Sequence, residues 1–174
     1  MRKACHYPVL IFYFCNACIK HVLPLQTQVD IMDKLKLCWE MRPARLKKFK
    51  TETFLAVYVN DISIAQWLQT AAENNNTSTL GDEFLSMALV QKLEIDAWRH
   101  SCTQDSVITL MACACGQWEC STVSIKTCQQ DNWVHWQFNL NAVYKKNYGE
   151  LPEFWFDAKD YASALQVLDE VNAF

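Results

Sequence analysis

The densest chemistry in the chain is the run Cys113-Ala114-Cys115-Gly116-Gln117-Trp118-Glu119-Cys120, which holds three of the nine cysteines. If Gly116 to Glu119 form a hairpin loop, Cys115 faces Cys120, and then Ala112 faces Val123, Leu110 faces Ile125 and Ile108 faces Thr127. A second loop at Gln129 to Asn132 puts Thr127 opposite Val134, Ile125 opposite Trp136 and Val123 opposite Phe138. Side chains alternate along a strand, so the apolar residues share one face and Cys113, Cys115 and Cys120 share the other.

Three sulfurs gathered at one tip supply three of the four tetrahedral ligands that zinc takes. They could equally form one disulfide with a thiol left over, or serve as small buried hydrophobes under a covering helix; this packing reading is preferred, because cysteine is among the most buried residue types. Zinc would need a fourth ligand from elsewhere. Cys102 is the leading choice, with Cys5, Cys15, Cys18, Cys38 and Glu119 behind it. Cys128 falls at the far end of the hairpin, roughly 25 Å away, and His135 is displaced as well.

Weaker candidates surround this cluster. His100 and Cys102 could pair as base and nucleophile, yet no orienting acid or oxyanion device accompanies them in sequence. Trp118 at the hairpin tip and Trp133 at the next strand start are aromatic anchors that could meet a partner. Carboxylates are scattered without a paired constellation. Only three Gly and four Pro occur, which excludes a Gly-rich phosphate loop and long flexible linkers.

The elements that must position these residues form an α+β pattern. Phe54 to Val59 is β-rich and closes on the turn pair Asn60-Asp61, after which Ser63 caps a helix with Ile64, Trp67, Leu68 and Ala71 on its buried stripe. Leu93, Ala97 and Trp98 indicate a short helix in an otherwise ambiguous stretch from 80 to 104. Val107 to Cys115, Ser121 to Cys128 and Trp133 to Asn139 follow as three strands of a meander, and Glu153 to Phe156 adds a fourth. Asp157 then caps a last helix buried through Tyr161, Leu165 and Leu168. The expected fold is an antiparallel meander with a mid-chain and a C-terminal helix packed on it.

At 174 residues, half of them apolar, the chain can bury a core without covalent staples. The domain is expected over 51–174, with 1–50 an N-terminal extension that ends in the basic residues Arg42, Arg45, Lys47, Lys48 and Lys50. A formal charge of -3 gives no global field for nucleic acid or acidic lipid, so neither is expected as a partner, and the basic stretch is read as a solvated lead-in. Odd cysteine parity and untiled spacing point to a reducing, cytoplasmic setting. The run Tyr7 to Ile19 resembles an export signal only crudely, since Pro8 and Asn16 interrupt it, and it is too short to cross a bilayer. Met32 and Met41 are alternative starts. The overlapping sequons at Asn75 and Asn76 matter only in a secreted chain.

From Phe54 onward the chain resembles a family of small uncharacterised bacterial proteins with a CxCGxxxC hairpin. The residues that carry the likeness are Val57-Tyr58-Val59-Asn60-Asp61, Trp67-Leu68, the Cys113 to Cys120 run, Trp136-Gln137-Phe138 and Phe154-Trp155-Phe156-Asp157 with Tyr161 and Leu165. The resemblance implies the fold and a bacterial origin and carries no activity; Glu119 stands where the family often has glycine. The expected function is a non-enzymatic binding module of immunity or accessory type, with another protein as partner and a structural cysteine hairpin. The alternative is a small zinc or thiol-redox protein acting through the same cysteines.

Overall fold

Alternating apolar residues at Leu35, Leu37 and Trp39 and at Leu55, Val57 and Val59 build one antiparallel pair, and this pair opens the fold. The computed structural model describes residues 32–43, 51–113 and 122–173. Strands β1 (Leu35–Pro43) and β2 (Thr51–Val59) pair along their whole length, with Leu37 opposite Val57 and Trp39 opposite Leu55. The fold therefore begins well before residue 51. The chain divides at Ile31/Met32, and the stretch set apart as an extension contributes a full strand. The period-two pattern of β1, with Lys36, Cys38 and Glu40 between the apolar residues, is present in the sequence, and it gains meaning once β2 supplies the partner row.

Asn60 and Asp61 both take left-handed φ, 54° and 62°, between Val59 and its partner Ile62, which is the two-residue turn that matches strand twist. It joins β2 to the short β3 (Ile62–Ser63). Ser63 then caps α1 (Ile64–Asn74) through a full capping box with Gln66.

The second sheet has five antiparallel strands in chain order: β4 (Asp82–Phe84), β5 (Ser106–Cys113), β6 (Thr122–Gln130), β7 (Trp133–Phe138) and β8 (Phe154–Asp157). Between β4 and β5 runs a helical stretch made of α2 (Met87–Leu89), a π-helical segment Val90–Glu94 and α3 (Ile95–His100). The helix α4 (Ala142–Tyr148) is capped by Asn141, and α5 (Ala158–Ala164), capped by Asp157 as expected, continues as a 3₁₀ segment Leu165–Ala173. The two sheets meet at their edges: Leu55 N–H donates to the Leu85 carbonyl, and Asp33 N–H donates to the Trp155 carbonyl. This is an α+β fold with a mid-chain and a C-terminal helix. Among the described residues no helix is long and apolar enough to cross a membrane.

The core lies on one face of the five-stranded sheet, against α3 and α5. Trp136 touches Trp98, Phe156 and Tyr161 at ring-centroid distances of 5.7, 4.9 and 5.9 Å. Its indole N–H donates to the Tyr161 hydroxyl, which meets Ser101 Oγ at 2.8 Å, while Ser101 donates to the Trp98 carbonyl. With the serine proton committed to Trp98, the tyrosine proton must go to the serine, so one directional chain threads the aromatic core. Trp39 adds a bond from β1 to the Val167 carbonyl at 3.0 Å, tying the smaller sheet to the C-terminal segment.

Candidate functional site

The cysteine hairpin is approached from the strands that carry it. Residues 114–121 lie outside the described residues, so Cys115, Cys120 and Trp118 receive no structural account, whereas Cys113 ends β5. The pairing at this end differs from the alternation read in sequence. Thr109 stands opposite Ser124 but Met111 stands opposite Val123, so Leu110 is an extra residue, a β-bulge. Leu110 and Met111 are both buried toward the core, and from there on parity is inverted: Cys113 falls on the inner face with Met111 and Val123, not on the outer face.

Directly opposite Cys113 is Asp82 on β4, whose Oδ1 accepts a hydrogen bond from the Tyr144 hydroxyl of α4. Cys113 is thus half-buried at a polar corner framed by a carboxylate and a phenol. Tyr148, one helical turn further, accepts the Leu80 amide at 3.0 Å, and burial pushes its phenol above the usual range.

Cys102 is not brought to this corner. It follows α3 at the Ser106 end of β5, half-buried against the core near Tyr161, and burial raises its thiol, which disfavours the nucleophilic thiolate. Seven residue steps of strand, on the order of 23 Å, separate Ser106 from Cys113. His100 is exposed at the end of α3, and no contact joins it to Cys102 as base to nucleophile. Cys38 on β1 is raised by burial and by Glu40, whose carboxylate also takes the Tyr58 hydroxyl at 2.6 Å and pushes that phenol up to about 12. Among the described residues no group of three or more His, Cys, Asp or Glu side chains is placed to hold a metal ion.

Behind the bulge sits Glu94, the last residue of the π-helical segment, with only 6% of its surface exposed. Its Oε2 accepts the Thr109 amide at 2.9 Å, on the strand edge that three-residue β4 does not reach. Burial raises the Glu94 carboxyl, partly countered by this amide. A raised native value means the ionised form is penalised in the fold. Stability from this group is therefore greatest below the ordinary value of 4.5 and is lost as pH rises above it. Glu94→Gln keeps an acceptor for Thr109 and removes the titration, so its unfolding free energy is expected to vary less between pH 4.5 and 7 than that of the native chain. Glu94→Ala strands the amide and should cost on the order of 1 kcal/mol at pH 7. Urea unfolding across that pH range checks both.

The opposite, outer face of the sheet carries a feature that the sequence reading did not assemble. Cys128, His135 and Trp155 are cross-strand neighbours on β6, β7 and β8. The imidazole lies flat on the indole, with centroids 4.0 Å apart and planes 17° from parallel. His135 Nε2 meets Glu153 Oε2 at 2.9 Å, and Gln137 donates to the other Glu153 oxygen at 3.0 Å, so the stack is fixed in place. Trp133 is on the same face by alternation. Trp155 is 40% exposed and Val107, across the sheet, 53%. The signal was available as the odd-numbered residues Trp133, His135 and Gln137 lying between core residues Val134, Trp136 and Phe138, but its partner Trp155 needs the β7 to β8 register. Comparison of the chain with protein-family models, with curated proteins and with solved structures returned no match.

Proposed function

We propose that the protein is a non-enzymatic binding module, of immunity or accessory type, which docks a protein partner on the outer face of its five-stranded sheet. The observation that carries this reading is the His135–Trp155 stack, held rigid by Glu153 and Gln137 and left partly open to solvent on the face that also carries Trp133 and, across the sheet, Val107. Preorganised aromatic side chains lose little conformational freedom on contact, which is why they dominate binding energy at interfaces. The cysteine hairpin is structural in this reading.

The test places a photocrosslinking side chain at Lys126, exposed on the same face and paired with Gln137, in the full chain, identifies the adduct and repeats binding with the purified partner. Trp155→Ser should weaken that binding at least tenfold while changing stability by about 1 kcal/mol or less, because the ring is exposed on one side. Partner binding indifferent to Trp155, or turnover of a substrate by the purified chain with no partner captured, rejects the reading.

A zinc or thiol-redox role for Cys113, Cys115 and Cys120 is the second reading. What favours it is Asp82 directly opposite Cys113, a carboxylate that could stand where Cys102 was expected as fourth ligand. Elemental analysis of protein prepared without chelator, with thiols counted before and after reduction, decides it. One equivalent of zinc, lowered in Asp82→Asn, supports the metal version; absent metal together with reduced, unreactive thiols removes both.

A further inference from the structure

Strand β7 outruns its neighbour β8. Main-chain groups along β7 face its two sides in turn: Asn139 N–H donates to the Ser124 carbonyl of β6, and the Asn132 carbonyl just before β7 accepts the Ala158 amide just after β8. By that alternation the N–H and C=O of Val134, Trp136 and Phe138 all face β8. Val134 and Trp136 meet Phe156 and Phe154 there, but the pairing stops at Phe154, and the same register would set Pro152 opposite Phe138. Proline has no N–H, so it leaves the Phe138 carbonyl without a donor. Among the described residues no hydrogen bond reaches either main-chain group of Phe138. Both groups face a groove of about 700 Å³, with residues 137–140 as one wall, residues 149–151 and Glu153 as the other, and Lys145 of α4 beside them.

We propose that this groove receives an extended segment of the protein partner, which pairs through its main chain with Phe138 and carries an apolar residue flanked by Lys or Arg. The inference rests on the reading of the chain as a protein-binding module and names how the partner is held. Gln137 and Glu153, which fix the His135–Trp155 stack, also line the groove. A segment added to an open strand edge gains affinity from main-chain hydrogen bonds and selectivity from alternate side chains. The residue opposite Phe138 gives its N–H to the Phe138 carbonyl and accepts the Phe138 N–H. Its side chain shares the inner side with Phe138, where Leu140 and Leu151 line the groove, so an apolar residue fits. Its two chain neighbours point to the outer side with Gln137, which donates to Glu153. Glu150 and Glu153 outnumber Lys145 in the groove, and the Glu153 carboxylate keeps lone pairs beyond those taken by His135 and Gln137. That charge balance selects a cation for the flanking positions.

The test titrates the isotope-labelled full chain with blocked synthetic peptides and follows the backbone amides of residues 137–139 by NMR. The peptide Thr-Lys-Val-Lys-Thr is expected to shift the Phe138 amide saturably. Glu in place of both Lys, or an N-methyl group on Val that removes the donor to the Phe138 carbonyl, is expected to weaken binding by about tenfold in each case. Glu150→Gln, a change at an exposed position, is expected to weaken the Lys peptide and not the Glu peptide. Absence of a saturable shift at Phe138, equal affinity for the Lys and Glu peptides, or indifference to N-methylation overturns the proposal. The outer-face docking is judged separately, through the partner captured at Lys126. Trp155-dependent binding of that partner without a peptide response at Phe138 overturns the groove alone, whereas a peptide response at Phe138 with partner binding indifferent to Trp155 supports the groove and rejects the outer face.

Discussion

Replacing Trp136 with alanine is expected to cost about 3–5 kcal/mol, the largest loss from any single substitution considered for this fold. The indole has no solvent exposure and touches Trp98, Phe156 and Tyr161, so its removal leaves a hole that rigid aromatic neighbours cannot close. It also ends the directional chain, since the Tyr161 hydroxyl loses its donor while still bonding Ser101. Trp136→Phe separates the two contributions: it retains much of the ring volume but no N–H, and should cost about 1–2 kcal/mol less than the alanine variant. Denaturant midpoints with unchanged slopes are the measurement. A loss below about 1.5 kcal/mol for Trp136→Ala would mean that the inner face is not the principal core.

The same face shows why sequence alternation recovered the core but misplaced the thiol. Ile108 was expected opposite Thr127 and lies opposite Ile125; Ile125 was expected opposite Trp136 and lies opposite Phe138. Both errors are shifts of two, and a shift of two returns every side chain to its own face, so Ile108, Ile125 and Trp136 remain inside. The second came from the turn. Gln130 pairs with Trp133, leaving only Asp131 and Asn132 between strands, and Asp131 takes a left-handed φ of 46° in place of the wider loop expected.

At Leu110 the error is one residue, and one residue inverts the face. The adjacent apolar pair Leu110-Met111 was a local hint of a bulge, but nothing near it in sequence indicates Glu94, fifteen residues back, as the acceptor that meets Thr109. Helix caps were legible because they are local chemistry: Ser63 and Asp157 accept the amides expected of them. By the same logic α4 could have been read from Asn141 with Tyr144 and Tyr148 one turn apart; at seven residues it is too short for periodicity to draw attention. The His135–Trp155 stack was out of reach for a different reason. It joins strands whose connection contains α4, and no local pattern sets that register.

Gly149→Ala is expected to destabilise the protein by about 3 kcal/mol, toward the upper end of what a single strained backbone position costs. Gly149 ends α4 with φ 66° and ψ -140°, a region that residues with a Cβ rarely enter, so the strain is present whatever surrounds it. Space is short as well: an added Cβ would stand 2.7 Å from Nδ2 of Asn75, the C-cap of α1, so the methyl group is pushed into a contact between the ends of α1 and α4. A double-mutant cycle distinguishes strain from crowding. In an Asn75→Gly background the collision is gone but the dihedral penalty stays, so Gly149→Ala should cost less there, by an amount that measures the collision, while remaining clearly unfavourable. If the substitution became neutral once Asn75 was trimmed, φ would not be the constraint. If the cost were the same in both backgrounds, Asn75 would have room to move aside, and the close approach of α1 and α4 would not depend on the missing side chain.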